Sequence, residues 1–160
     1  MCERSRHLLN YNVNDINVVS LDIETSTLNG FPNLDYADNL NGFPNLDYAD
    51  KEIITLSMRK QGKVIILGTR PYKPKRDNVV YVQSRNESDF LEKFLEAWNS
   101  NKWKPDIVTG WNVVYFDIPY LYKRITNVLG AKQANKLSSW AIVKERQLGK
   151  DPTLPKNHTS

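Results

Sequence analysis

The first regular pattern in the chain is an alternation. In Val18-Val19-Ser20-Leu21-Asp22-Ile23-Glu24, Val19, Leu21 and Ile23 fall on one side, and Ser20, Asp22 and Glu24 on the other, because successive side chains of a strand point to opposite faces. Glu52–Arg59 and Lys63–Thr69 read as a hairpin turning at Gln61-Gly62, and Val79–Gln83 as a short strand. Then the period changes. Phe90, Leu91, Phe94, Leu95 and Trp98 recur at helical spacing behind Ser88, which reads as the N-cap. Asp89 and Glu92 stand in that helix's first turn, where the dipole favours acids. Asp106–Gly110 reads as another short strand. A second helix runs from about Asp117 to Leu129, with Ile118, Leu121, Tyr122, Ile125 and Val128 inward and Gly130 closing it. Strand, hairpin, strand, helix, strand, helix is an α/β order and predicts a mixed sheet with flanking helices.

Between these elements lie segments with no period. Residues 1–16 read as a loose leader, 17–148 as one domain, and 149–160 as a disordered tail. Residues 25–50 hold Gly30, Pro32, Gly42, Pro44 and many Asn and Asp, which is loop chemistry. Within them Leu28–Asp38 recurs without change as Leu40–Asp50, with Asn39 between. A loop accepts such a duplication because closure entropy grows slowly with length.

Composition narrows the classes. A hydrophobic fraction of 40% and a charged fraction of 25% are ordinary for a globular domain and exclude a fibrous one. No apolar run approaches the roughly 18 residues of a spanning helix, so no membrane partner is expected. Cys2 is the single cysteine, which rules out an internal disulfide and favours a reducing cytoplasm. With only His7 and His158 as imidazoles, a metal must be held mainly by carboxylates. The net charge of +4 is uneven: Leu121–Ser160 carries eight Lys or Arg against Glu145 and Asp151. Such a stretch suits a phosphate backbone, although a solvated helix face and tail would look the same.

Chemistry is suggested by the acids. Asp22 and Glu24 project from one face of the first strand, where two carboxylates beside a core are costly unless a cation neutralises them. Hard oxygen ligands suit Mg²⁺ or Mn²⁺. An Asp-x-Glu pair alone is common on solvated surfaces, so the reading needs a third acid. Asp117 lies at a strand-to-helix junction, where the alternative role is a helix N-cap.

Together these segments resemble the first and second exonuclease motifs of family B DNA polymerases. Asp22-Ile23-Glu24-Thr25 resembles the first; Trp111-Asn112 followed by Phe116-Asp117 resembles the second. Gly30-Phe31-Pro32, Glu52-Ile53-Ile54, Lys104–Asn112 and Leu137-Ser138-Ser139-Trp140 extend the likeness, which is to polymerases of the large tailed-bacteriophage type. The resemblance implies an RNase H-like (DnaQ-like exonuclease) fold and two-metal hydrolysis at the 3′ end of single-stranded DNA. Asp22, Glu24 and Asp117 would then be the catalytic and metal-binding residues, with two Mg²⁺ or Mn²⁺ ions about 3.5–4 Å apart in a complete site. It also implies that Phe31, chosen over its duplicate Phe43, stacks on the frayed bases, and that Asn112 lies near the substrate strand. Taken alone, Phe31 could equally be a loop aromatic that seals the core, and Asn112 could close a turn.

The sequence departs from the family in its duplicated loop and, more seriously, in what is absent. The third motif places a Tyr four residues before another metal-binding Asp, but here Gln147 stands four before Asp151, and Tyr122 is the last tyrosine. The expectation is therefore a C-terminally truncated domain, stable only marginally, with apolar surface exposed on the 117–129 helix. It would need a second chain, carrying the remaining motif and the polymerase domains, for activity. The alternatives are a non-catalytic nucleic-acid-binding remnant and a decayed gene fragment.

Overall fold

The alternation in the first strand sorts its side chains as the pattern predicts. In the computed structural model, which describes residues 12, 15–26, 46 and 48–144, β1 (Val18–Thr25) buries Val19, Leu21 and Ile23 and leaves Asp22 and Glu24 exposed. Most of the leader, Phe31 and Phe43 with most of the duplicated loop, and the tail from residue 145 lie outside the described residues.

β2 (Ile53–Lys60) pairs antiparallel with β1, and β3 (Lys63–Gly68) returns along β2. The hairpin turns at Gln61 and Gly62, with φ of 47° and 74°. Two successive positive φ values give the turn a twist that matches paired strands, and Gly62 takes its value without a Cβ penalty. β4 (Val79–Gln83) adds parallel to β3, and β5 (Ile107–Thr109) adds parallel to β1. The sheet order is β4-β3-β2-β1-β5.

Register assigns each residue a face. Leu21 opposes Met58 and Ile23 opposes Leu56, while Met58 and Leu56 oppose Ile65 and Leu67. All of these are buried. Against them lie α1 (Glu87–Asn99) and α2 (Asp117–Leu129), which bring Phe90, Leu91, Phe94, Tyr120, Leu121 and Ile125 into the same core. Burying each large side chain contributes roughly 1.5–3 kcal/mol. The opposite face carries Asp22, Glu24, Ser57, Arg59, Ile66 and Tyr81, none fully buried. This mixed sheet with its helices is the RNase H-like α/β arrangement expected.

Two expectations about the helices need correcting. The N-cap of α1 is Asn86, not Ser88: the Asn86 side chain accepts the Asp89 N–H at 2.9 Å, leaving Ser88 inside the first turn. On α2 the apolar side chains are buried or half-buried. Exposed apolar residues instead cluster at Trp111, Val114 and Tyr115, and at Trp140 and Ile142. Gly130 ends α2 as predicted, with φ 89°, and is followed by α3 (Ala131–Ala134).

Polar contacts lock the two helices to the sheet. Arg124 on α2 grips Glu87 on α1 with two bonds, Nε to Oε1 at 2.7 Å and Nη2 to Oε2 at 2.5 Å. Glu87 Oε1 also accepts the Ile53 N–H at 2.8 Å. One cation of the basic C-terminal stretch is therefore spent internally rather than offered to a partner. Tyr120 donates its hydroxyl to Lys51 O at 2.7 Å and accepts the Lys51 N–H at 2.9 Å. Burial pushes its pKa up to about 12.

Candidate active site

β5 covers only the first part of the free edge of β1. It pairs with Val18, Val19 and Ser20, so the edge beyond is open when the chain leaves β5 at Gly110. A Cβ at Gly110 would stand 2.4 Å from the Leu21 carbonyl oxygen. Only glycine lets the backbone hug β1 this closely. The chain then reverses through 111–116. Asn112 adopts φ 55°, a left-handed conformation that asparagine tolerates better than most residues. Its carbonyl accepts the N–H groups of Tyr115 at 3.0 Å and Phe116 at 2.9 Å. Asn112 thus closes this turn, and its side chain is exposed.

The reversal delivers Asp117 onto the edge of β1. Its Oδ1 accepts the Ile23 N–H at 3.0 Å, between Asp22 and Glu24. Asp117 is the first residue of α2, not its N-cap; the cap is Phe116, with no side-chain capping bond. Its carboxylate serves the strand instead of the helix. Only 3% of Asp117 is exposed. Desolvation therefore pushes its pKa up, and the charge of Asp22 pushes the same way. The N–H groups of Ile23 and of Asp117 itself oppose this and do not overcome it.

Asp22 and Asp117 are therefore close enough to repel, and Glu24 shares the exposed face of Asp22. Among the described residues, however, no three Asp, Glu, His or Cys side chains form a group fit to enclose a metal ion. Two mutually repelling carboxylates are still a fitting donor set for a hard cation. Mg²⁺ keeps several waters and binds through one or two carboxylates plus substrate phosphates. The turn that leads into Asp117 presents Trp111, 93% exposed, and Tyr115, 61% exposed. Tyr115 carries no signal of its own in the sequence, where it passes as one more aromatic of an apolar run.

An α/β sheet whose first strand and second helix join acids at a strand edge is the architecture of a nuclease-like domain. The family described as DNA polymerase family B, exonuclease domain, matches residues 2–160, and the chain belongs to it. It is 44% identical over 62 residues to the DNA-directed DNA polymerase of Escherichia phage RB69, which covers 39% of this chain and 7% of that protein. It is 34% identical over 70 residues to the DNA-directed DNA polymerase of Enterobacteria phage T4, covering 44% of this chain and 8% of that protein. The matched segments thus span less than a tenth of either relative. No helix among the described residues is long and apolar enough to cross a membrane.

Proposed function

We propose that this exonuclease domain removes nucleotides from the 3′ end of single-stranded DNA, as the proofreading region of a phage replicative DNA polymerase. The observation that carries this reading is the bond from the Ile23 N–H to Asp117, which fixes a third acid on the backbone between Asp22 and Glu24. In this reading Asp22, Glu24 and Asp117 hold two divalent ions, Mg²⁺ or Mn²⁺. When bound, these ions supply Lewis-acid activation of water and neutralise charge at the terminal phosphodiester. The chain's own residues position the strand: Asn112, exposed in the turn that leads into Asp117, and Phe31, which lies outside the described residues, as a stacking ring. The product is a nucleoside monophosphate. In this proposal the remaining exonuclease motif and the polymerase domains complete the site.

A second reading, nucleic-acid binding without hydrolysis, is favoured by one observation: the described residues contain no three-ligand group. One assay separates the two. The chain is incubated with 3′-labelled single-stranded DNA and Mg²⁺ or Mn²⁺, alone and with the rest of a phage polymerase supplied as a second chain. Metal-dependent release of monophosphate that disappears in Asp22→Ala supports hydrolysis. Binding without release under both conditions supports the second reading.

A further inference from the structure

Asp22 belongs to a row that crosses four of the five strands of the sheet. It opposes Ser57 on β2, Ser57 opposes Ile66 on β3, and Ile66 opposes Tyr81 on β4. Opposed residues share a face, so the acids and Tyr81 look out on the same side. Three strand spacings separate Asp22 from Tyr81, about 14 Å at ~4.8 Å each. At the far end lies a groove of about 330 Å³ lined by Thr55, Ile66, Arg70, Tyr72 and Tyr81, among others. Thr55 is the cross-strand neighbour of Glu24, so the groove begins one strand away from the acids.

The groove has the chemistry of a nucleobase subsite. Tyr72, 54% exposed, meets Tyr81 edge-on with ring centroids 5.3 Å apart. The Tyr81 hydroxyl donates to the Arg70 carbonyl, and its ring lies over Gly68, where a Cβ would come within 2.6 Å of the hydroxyl. Tyr81 is thus held in place, and it braces Tyr72. The same connection, residues 69–78, carries Arg70, Lys73, Lys75 and Arg76 against the single acid Asp77. All four cations are exposed, and none of their side chains joins an ion pair or hydrogen bond with another described residue. A clamped aromatic beside uncommitted cations suits stacked bases joined by phosphates.

We propose that this groove and the 69–78 connection form a second subsite for single-stranded DNA, holding the strand upstream of the 3′ terminus that Asp22, Glu24 and Asp117 receive. The inference rests on the reading of those acids as the hydrolytic site. The gap of about 14 Å corresponds to about four stacked nucleotides at 3.4 Å per phosphate, and fewer when the strand is extended. The strand therefore runs across the β-strands, from the acids toward β4, drawn to the basic connection and away from the carboxylates.

The test measures binding of fluorescein-labelled decathymidylate by anisotropy, without divalent ions, so that hydrolysis plays no part. Loss of one stacked base in Tyr72→Ala should weaken affinity by about five- to a hundredfold, while Tyr72→Phe keeps it. Lys75→Gln with Arg76→Gln should flatten the log–log salt dependence by about 0.7 for each phosphate no longer neutralised. Undiminished affinity in Tyr72→Ala, an unchanged salt slope, or no binding by the wild type overturns the proposal. Where hydrolysis is measured, Tyr72→Ala should raise KM for the decanucleotide with kcat unchanged, and leave a dinucleotide, too short to reach the groove, unaffected. Binding through the groove with no hydrolysis, even when the rest of a phage polymerase is supplied, would sink the exonuclease reading alone. Hydrolysis with KM unmoved by Tyr72→Ala would sink this inference alone.

Discussion

The Asp117 carboxylate accepts the backbone N–H of Ile23 at 3.0 Å, joining residues 94 positions apart in sequence. That bond lets an acid on a helix continue the hydrogen bonding of β1 where β5 has ended, and it sets the acid beside Asp22. Replacing Asp117 by Asn keeps an oxygen for the Ile23 N–H, so metal-free stability should stay within about 1 kcal/mol of wild type. Asp117→Ala leaves a buried donor unpaired and should cost about 1–3 kcal/mol. Urea denaturation without divalent ions checks both values.

Gly110 should be intolerant of any side chain. Asp117 reaches β1 only because the chain passes within van der Waals distance of the Leu21 carbonyl, where a new Cβ would sit 2.4 Å away. The obstruction is rigid backbone, so the turn itself must move. Gly110→Ala should destabilise by about 1–3 kcal/mol. It should also displace Asp117, lowering any metal-dependent activity more than the stability loss explains. Thermal melts alongside activity separate the two effects.

The Glu87–Arg124 pair should matter more than a surface ion pair. Its side chains are 11% and 16% exposed, and Glu87 also holds the Ile53 N–H. Removing one partner strands a poorly hydrated charge, so Arg124→Ala should cost about 3–5 kcal/mol. Arg124→Met with Glu87→Leu should recover part of that loss, since the surviving charge is then gone. A double-mutant cycle by chemical denaturation reads the coupling.

Alkaline unfolding should trace to Tyr120. Its pKa is raised to about 12 by burial, above the ordinary tyrosine value near 10. A raised pKa means the folded state favours the protonated phenol. The contribution is therefore full below pH ~10 and is lost as pH rises through about 12. Tyr120→Phe removes the two bonds to Lys51 and should lower stability at pH 8. The variant should then lose less additional stability than wild type between pH ~10 and ~12. Unfolding free energies measured across that range decide it.

What is legible in the sequence is whatever a residue type specifies locally. The alternation through Val19, Leu21 and Ile23 sets the faces of β1, and Asp117 with Gly130 marks both ends of α2. The cap of α1 is not, because Asn86 and Ser88 are both good caps, and the choice turns on which side chain reaches the Asp89 N–H. The role of Asp117 cannot be read as geometry. Its partner is a backbone N–H that any residue at position 23 except proline would offer. Tyr120 escapes notice as a core residue because its hydroxyl is satisfied by the backbone of Lys51, 69 positions earlier. Charge points to the C-terminal stretch, where Arg124 proves to be committed to Glu87. The cations of 69–78, interleaved with Tyr72, are equally visible in the sequence but gain meaning only from the sheet register that faces Tyr81 toward Asp22's side.

Manganese titration of the whole chain, followed by the electron paramagnetic resonance of free Mn²⁺, asks directly whether the acids joined at the edge of β1 hold a divalent ion. Wild type should bind Mn²⁺, and Asp22→Asn and Asp117→Asn should each weaken that binding at least tenfold while remaining folded. Equal Mn²⁺ uptake by wild type and both variants, or none by the wild type, would contradict a metal site built on these carboxylates.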